Sequence, residues 1–399
     1  MCPMSPEGPT VEDLLDPVVQ NYGDIRDPYG GYAKGREAGV LHESHLNTTV
    51  YRVYRYEDCE RVLRDNETFS ARINGELMRP FLGETILEMD GQRHQQARGL
   101  IAHPFRPKVV ASWEQKLIRP VAHEVIDRFA GRGHAELVRE FAWQFPVRVF
   151  ARLLGIPLSD YEMWGRWAID LERLSVDWDR GVSAAQEVRD YFEPIIDARR
   201  AEPNGDFVSE LVEAELGGER LTDGLIHGFI RLLIPAGQST TYRLIGTLML
   251  VMLSHPDQLD AVREDRSLVA RAVEEALRWE SPVQFAAREA NVDTEIAGVA
   301  IPKGSGVTTV LGSANNDESR WDDPRHFDIT REHKGHVAFG EGPHLCLGAH
   351  LARLEAQVAL NAMLDRLPDI RLSPGDAEPH WVGWAFRSPT TVPVAFTPN

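Results

Sequence analysis

The longest regular pattern in the sequence covers residues 222–253, where apolar residues recur at helical spacing throughout the stretch. Two further helical patterns cover residues 267–279 and 347–366. A helix that is apolar on all sides has to be buried under other elements. Short strand patterns occur only at residues 48–56, at 293–301 and in the C-terminal TTVPVAF. The sequence therefore predicts a mainly α fold with small β-sheets, in the α+β class.

Composition narrows the class of protein. The formal net charge of -18 argues against nucleic acid and against an anionic membrane as the main partner. The three cysteines are odd in number and far apart, so they give no disulfide framework and indicate a reducing compartment. The N-terminus lacks a signal-peptide pattern, and the most apolar run, 244–253, is too short to span a bilayer. No linker divides the chain, so we expect one domain over residues 1–399, located in the cytoplasm.

One cysteine stands in a glycine-rich stretch, FGEGPHLCLG, at residues 339–348. An isolated Cys346 could be a buried spectator, a nucleophile or a metal ligand. Gly340, Gly342 and Gly348 allow the backbone to approach another group closely. The start of the following helix favours a thiolate through its dipole and its free N–H groups. Because no general base lies at hydrogen-bonding spacing, this pattern favours a metal ligand over a nucleophile.

Zinc is the alternative metal for this cysteine. His333, His336 and His344 lie within a few residues of Cys346 and could in principle gather a zinc ion with it. Their spacing fits neither a C-x-x-C nor an H-E-x-x-H pattern. A zinc hydrolase therefore stays as a third hypothesis.

A second motif lies in ARAVEEALRWESP, where Glu275 and Arg278 share a helix face at positions i and i+3. An exposed ion pair of this kind would stabilise the protein little. Ser281 and Pro282 end the helix directly afterwards, which places the pair where it can bridge to another segment of the chain.

A third motif, LLIPAGQSTTYRLIG, interrupts the long helical pattern. Pro235 removes a backbone donor and Gly237 weakens the helix. Gly237, Thr240 and Thr241 follow at i, i+3 and i+4 and are predicted to share one face. The interpretation is either a proline-kinked packing helix or a hydroxyl-lined opening that suits a small polar ligand such as dioxygen.

These three motifs, in this order, resemble those of bacterial cytochromes P450, soluble haem-thiolate monooxygenases. The matching patterns are A-G-x-x-T-T at residues 236–241, E-x-x-R at 275–278 and F-x-x-G-x-x-x-C-x-G around Cys346; the resemblance reaches upstream to MDGQRHQQARGLIAHPF. It implies the cytochrome P450 fold, with about a dozen helices and small sheets around a buried haem b. It also implies insertion of one oxygen atom from O2 into an organic substrate, by hydroxylation or O-dealkylation.

The resemblance also implies roles for individual residues. Cys346 would be the proximal iron ligand, and Thr240 would hold dioxygen, with Ser239 and Thr241 as its catalytic neighbours. Glu275 and Arg278 would form a structural network completed by His326. The remaining haem contacts implied are His94, Arg98, Arg288, His344, Phe339, Gly340 and Gly348.

One position departs from the family pattern. The family usually carries Asp or Glu immediately before the threonine of the long helix, and this sequence has Ser239 there. Ser239, with Gln238 nearby, could relay protons through ordered water. The chain could instead couple oxygen reduction less tightly, or use peroxide as its oxidant. A haem-thiolate sensor or carrier without turnover is the alternative from another class.

The resemblance further predicts the substrate pocket and the redox partner. Segments 73–86, 232–240, 283–286 and 384–386 would line an apolar pocket for a small-to-medium apolar or aromatic substrate. The pocket residues predicted are Leu77, Met78, Phe81, Leu82, Leu233, Ala236, Gly237, Val283, Phe285, Trp384 and Phe386, with Arg72, Arg79 or Gln284 as anchors for a charged substrate. Electrons would come from an NAD(P)H-dependent ferredoxin reductase through a separate acidic ferredoxin. The predicted docking residues are Arg98, His103, Arg106 and Lys108.

Overall fold

The computed structural model describes residues 25–45, 48–172, 177–216, 218–373 and 378–398. Helices provide most of the regular structure in these ranges, which confirms the predicted mainly α class. The helices are α1 Tyr29–Ala38, α2 Tyr56–Arg64, α3 Ile73–Leu82, α4 Gly91–Ala102, α5 Pro107–Trp113, α6 Arg119–Asp127, α7 Gln144–Leu153, α8 Tyr161–Glu172, α9 Trp178–Ala201, α10 Phe207–Glu213, α11 Asp223–Ser254, α12 Pro256–Glu264, α13 Val269–Trp279, α14 Leu311–Ala314 and α15 Ala349–Arg366.

The strands are short and form small sheets. They are β1 Val40–His45, β2 Thr48–Val53, β3 Phe69–Ser70, β4 His134–Glu136, β5 Glu215–Leu216, β6 Glu219–Arg220, β7 Phe285–Ala290, β8 Thr294–Ile296, β9 Val299–Ile301, β10 Gly306–Val310, β11 Arg371–Leu372, β12 Trp381–Val382, β13 Ser388–Pro389 and β14 Pro393–Ala395. The largest sheet has the order β1-β2-β10-β7-β3, in which only the β2–β10 pair is parallel.

Helix α11 runs through the main hydrophobic core and packs against α7, α8, α13 and α15. Its N-terminus is capped by Thr222, whose hydroxyl accepts a hydrogen bond from the Leu225 N–H. The helix continues through Pro235. Almost every side chain from Leu225 to Leu253 is buried, apart from Arg231 and a short open stretch around Ala236. The long helical pattern is thus one central helix covered on all sides.

The E-x-x-R motif lies on α13 and holds the chain that leads to the cysteine loop. Arg278 pairs with Glu275 through Nε–Oε2 at 2.8 Å and Nη2–Oε1 at 2.7 Å, and both side chains are buried. The second terminal nitrogen of Arg278, Nη1, donates to the carbonyls of Asn315 at 3.0 Å and Pro324 at 2.8 Å. The pair is therefore buried rather than exposed on a helix surface, and it braces α13 against residues 315–324.

The third member of this network is Arg331, and not His326 as predicted. Arg331 Nε donates to Glu275 Oε1 at 3.2 Å, and Arg331 Nη2 donates to the His326 carbonyl at 2.8 Å. The His326 side chain is exposed and contributes only its backbone carbonyl to the network. A flexible guanidinium five residues further along the loop reaches Glu275, which a short imidazole at 326 does not do.

No helix within the described ranges is long and apolar enough to cross a membrane.

Replacing Arg278 by Ala tests the brace. The change leaves Glu275 buried with one partner fewer, so we expect the free energy of unfolding to fall by about 3–5 kcal/mol. Arg64→Ala removes a pair with Glu60 and Glu341 whose arginine is 58% exposed, and should cost less than about 1 kcal/mol. Urea unfolding followed by circular dichroism measures both values. Equal losses in the two variants would contradict the structural role of the brace.

Candidate active site

The cysteine loop is shaped by glycines at two positions. Gly340 and Gly342 have φ angles of 71° and 70°, in the left-handed region. A Cβ on Gly342 would lie 2.8 Å from the Leu63 carbonyl oxygen and from the Arg64 Cα, so only glycine lets the loop approach α2. The Cys346 N–H donates to the Phe339 carbonyl at 2.8 Å and closes the loop just before α15. These contacts fix the position of the cysteine.

Cys346 is accessible to solvent, whereas Cys59 is packed in the core. Its position deep within the protein raises the pKa of the Cys346 thiol. The backbone N–H groups of Gly348 and Ala349 and the guanidinium groups of Arg98 and Arg353 oppose that rise. A deep, accessible sulfur with surrounding donors is suited to binding a metal cation as a thiolate.

Basic side chains gather beside this sulfur. The imidazole rings of His94 and His344 lie 4.1 Å apart between centroids. Burial, together with the charges of His344 and Arg98, lowers the pKa of His94 to about 4. Arg98 Nη2 donates to the Leu345 carbonyl at 2.6 Å, and Arg288 Nη1 donates to the Ala287 carbonyl at 2.8 Å. Burial lowers the pKa of both arginines.

The same group has unused hydrogen-bonding capacity. In the part of the chain that the structure describes, His94 Nε2 is buried and has no hydrogen-bond partner. An orphaned buried nitrogen among basic groups fits an anionic ligand. Haem supplies two carboxylates and an iron that binds thiolate sulfur, so these residues fit a haem attached to Cys346.

The described residues do not form the alternative zinc site. His333 is exposed, His336 Nε2 lies 3.3 Å from Glu274 Oε2, and His344 lies beside His94 and Asp90. Within the described ranges, no three His, Cys, Asp or Glu side chains converge on one point. The histidines near Cys346 in sequence therefore have separate surroundings in space.

The centre of α11 exposes one short face. Ala236 is exposed and Thr240 is half-buried on an otherwise buried stretch of helix, and the Thr240 hydroxyl donates to the Ala236 carbonyl at 3.1 Å. Thr241 is buried, and a Cβ on Gly237 would lie 2.5 Å from the Phe150 ring. The predicted common face is thus divided between Gly237 and Thr240, which are half-buried, and Thr241, which is buried one 100° turn further along the helix.

Ser239 lies away from this open face. Its side chain is fully buried, and its hydroxyl accepts a hydrogen bond from Arg243 Nη1. The same nitrogen donates to the Ser239 carbonyl at 2.8 Å and to Glu172 Oε2 at 3.3 Å. The sequence interpretation missed both partners. Arg243 could have been found from the sequence, because it stands four residues after Ser239 in an otherwise apolar helix. No local sequence feature indicated Glu172.

The predicted pocket residues divide into packed and open positions. Phe81 packs edge-on against Trp178, with ring centroids 4.6 Å apart, and the sequence interpretation missed this tryptophan. Phe285 and Trp384 lie 4.7 Å apart, and Val283 pairs with Phe386 in a β-bridge. Buried positions are Phe81, Leu82 and Leu233; half-buried positions are Met78, Val283, Phe285 and Phe386; exposed positions are Leu77 and Trp384.

The three predicted anchors for a charged substrate already have partners. Arg72 pairs with Glu289, Arg79 Nε lies 2.6 Å from Glu88 Oε2, and Gln284 bonds Tyr32 and the Ser281 carbonyl. These three side chains stabilise the protein's own segments, which leaves the pocket lining mainly apolar.

Comparison with known proteins agrees with this geometry. The family model described as "Cytochrome P450" matches residues 170–379. Cytochrome P450 107B1 of Saccharopolyspora erythraea is 35% identical over 94% of this chain and 96% of its own length. The monooxygenase PikC of Streptomyces venezuelae is 36% identical over 88% of this chain and 86% of its own length.

Solved structures show the same likeness. The myxobacterial cytochrome P450 CYP267B1, in complex with myristic acid, superimposes with a TM-score of 0.85 at 34% identity, covering 93% of this chain and 96% of that one. P450BioI, in complex with an acyl carrier protein ligated to hexadec-9Z-enoic acid, gives 0.84 at 32% identity, covering 93% and 98%. The chain therefore belongs to the cytochrome P450 family of haem-dependent monooxygenases.

Proposed function

We propose that this protein is a ferredoxin-dependent haem b monooxygenase that hydroxylates or O-dealkylates a small-to-medium apolar or aromatic substrate. The observation that carries this proposal is the accessible Cys346 together with a buried His94 Nε2 that has no hydrogen-bond partner among the described residues. We further propose that residues 1–399 form one haem domain that works in the cytoplasm. The composition, with its scattered cysteines and acidic charge, supports that location.

The chain's own residues would hold and orient the cofactor. Cys346 would bind the iron, and His94, Arg98, Arg288 and His344 would hold the propionate groups. When bound, the haem supplies the thiolate-ligated iron that activates dioxygen. The Thr240 hydroxyl, on the open face of α11, would hold a water molecule or dioxygen there by hydrogen bonding. Its bond to the Ala236 carbonyl orients that hydroxyl.

An apolar substrate is supported by the pocket side chains. Met78, Val283, Phe285 and Phe386 are half-buried, so part of each side chain remains available for contact. The relatives' structures contain myristic acid in CYP267B1 and testosterone in CYP109E1 of Bacillus megaterium, which are predominantly apolar molecules. These observations support the size and polarity of the substrate, and leave its identity to screening.

Replacing Cys346 by Ala tests the ligand assignment. The reduced wild-type protein with carbon monoxide should show the strongly red-shifted Soret band of thiolate ligation, and the variant should lose it because the sulfur is absent. Cys59→Ala, which removes a packed thiol, should keep the band. An unchanged spectrum in the Cys346 variant, or no haem bands in the wild type after expression with ample haem, would contradict the assignment.

The second candidate is a haem-thiolate carrier, or an oxygenase that uses peroxide, because Ser239 stands where the family has an acid. With a surrogate ferredoxin and its reductase, a monooxygenase should consume NADH faster when substrate is added and should form product. A carrier should bind substrate, seen as a spin-state shift, without substrate-dependent consumption. Product formed with added peroxide but not with NADH would identify the peroxide user.

The docking surface for ferredoxin is supported by three exposed cations. His103, Arg106 and Lys108 are exposed on the segment that follows α4, whereas Arg98 points inward to the cysteine loop. The proposed surface therefore consists of His103, Arg106 and Lys108 without Arg98. On a protein of net charge -18, such a surface would attract an acidic partner locally.

Reversing two of these charges should slow electron transfer. We expect Arg106→Glu with Lys108→Glu to lower the bimolecular rate of reduction by ferredoxin about tenfold at low salt, and to weaken its salt dependence. Stopped-flow reduction measures this rate. Lys34→Glu with Lys303→Glu, two exposed changes outside the proposed surface that alter the net charge by the same amount, should alter it little. Equal effects of the two reversals would show that only net charge matters.

A further inference from the structure

Three polar side chains form a buried group where α8 ends against α11. Arg243 lies between Glu172, the last residue of α8, and Ser239, one turn earlier on α11. Both terminal nitrogens of Arg243 lie 3.3 Å from Glu172 Oε2, and Nη1 also donates to the Ser239 hydroxyl. The same guanidinium nitrogen, Nη1, thus contacts both the Glu172 carboxylate and the Ser239 hydroxyl. The carboxylate is therefore joined to Ser239 through the guanidinium.

Packing alone does not account for this group. Arg243 is 1% exposed and Glu172 14% exposed, within a helix crossing that is largely apolar. Removing two charges from water costs about as much as their attraction returns, and apolar side chains of similar volume would serve stability as well. A buried ion pair that also holds a serine hydroxyl beside Thr240 is better explained by a role in the reaction.

The position of Ser239 indicates that role. In the family pattern the residue before the threonine is an acid, and here it is a serine. A carboxylate is nevertheless present nearby, because Glu172 reaches from α8 to the Arg243 guanidinium that also holds Ser239. We propose that Glu172 is the acid of the proton relay and acts through the Ser239 hydroxyl toward Thr240. This proposal rests on the proposed monooxygenase function.

The relay moves protons and transfers no electrons itself. Glu172 takes up a proton from solvent at its exposed edge and passes it to the Ser239 oxygen, while the Ser239 hydroxyl proton moves to water beside Thr240. Each turnover consumes two such protons from water and two electrons from NADH, delivered by the redox partner. When proton delivery is not coupled to oxidation of the substrate, the same two electrons and two protons reduce dioxygen to hydrogen peroxide, which is released.

The surroundings of Glu172 favour proton uptake. Burial raises the pKa of Glu172, while the Arg243 charge and the Ser239 and Arg243 hydrogen bonds oppose the rise. Tyr242 is buried beside Arg243 and contributes no positive charge. The raised pKa means that the Glu172 carboxyl keeps its proton to a higher pH than an exposed glutamate does.

The first experiment compares Glu172→Gln with Glu187→Gln. Glu187 on α9 is a matched control, because it pairs with Arg166 of α8 and with Trp167 but is not part of the Ser239 group. With substrate, ferredoxin and reductase, Glu172→Gln should form product about tenfold more slowly and should release a larger share of the NADH electrons as peroxide. Its solvent isotope effect should rise, whereas Glu187→Gln should match the wild type in all three.

Rescue distinguishes a relay from a structural ion pair. Adding Ser239→Asp to Glu172→Gln returns a carboxylate to the same place from the other helix, and should restore both product yield and the wild-type isotope effect. Glu172→Asp, which keeps the acid on a shorter side chain, should retain part of the yield. A purely structural pair would predict lower thermal stability in Glu172→Gln with unchanged yield and isotope effect in the folded enzyme, and that result would overturn the proposal.

A readout without turnover completes the test. In an infrared pH titration of the resting protein, a carboxyl band should titrate above the ordinary glutamate range, be absent in Glu172→Gln and remain in Glu187→Gln. Absence of that difference would also overturn the proposal. If the wild type forms no product while the infrared difference is present, the proposed function fails and the assignment of Glu172 as a proton-exchanging group stands.

Discussion

The position of the cysteine loop depends on the buried pair of Glu275 and Arg278. Arg278 holds the Asn315 and Pro324 carbonyls, and the Asn315 side chain accepts a hydrogen bond from the Val337 N–H at 2.8 Å. Val337 lies two residues before Phe339, whose carbonyl binds the Cys346 N–H. Hydrogen bonds and the short segment from Val337 to Phe339 therefore connect α13 to the backbone of Cys346. Because the pair is buried, loss of one partner would leave a charge without compensation, so the brace favours a single arrangement.

The two described cysteines show how environment decides the chemistry of a thiol. Cys59 is packed against the sheet, its sulfur contacts the Val53 carbonyl, and burial raises its pKa far above the ordinary value. Cys346 is exposed, and its sulfur lies near backbone N–H groups and guanidinium charges. Only the second environment leaves the sulfur accessible to a cation and surrounds it with groups that oppose the effect of burial on its pKa. The glycines of the loop create that environment, since a side chain at Gly342 would collide with α2.

Helix α11 carries polar side chains on two separate faces. Its open face presents Ala236 and Thr240, while Ser239 faces a buried charge pair with α8. Adjacent residues on a helix point 100° apart, so Ser239 and Thr240 face different sides of α11. The cation–π contacts of Arg243, 4.8 Å from the Tyr242 ring and 4.9 Å from the Phe386 ring, join the buried pair to the predicted substrate pocket. Proton supply and substrate contact are thereby close neighbours in the proposed mechanism.

Periodicity and local motifs by themselves determined much of this protein. They predicted the central helix within one residue at either end, the E-x-x-R helix, and the loop and helix around Cys346, because these features depend on residues close in sequence. The tertiary structure alone decided which distant side chains complete each group. Arg331 takes the place expected for His326, Arg98 turns inward, Thr241 is buried away from the half-buried Thr240, and Glu172 is linked to Ser239 through Arg243. These contacts depend on how the helices cross and on how far each side chain reaches. Neither quantity can be obtained from the spacing of residues along the chain.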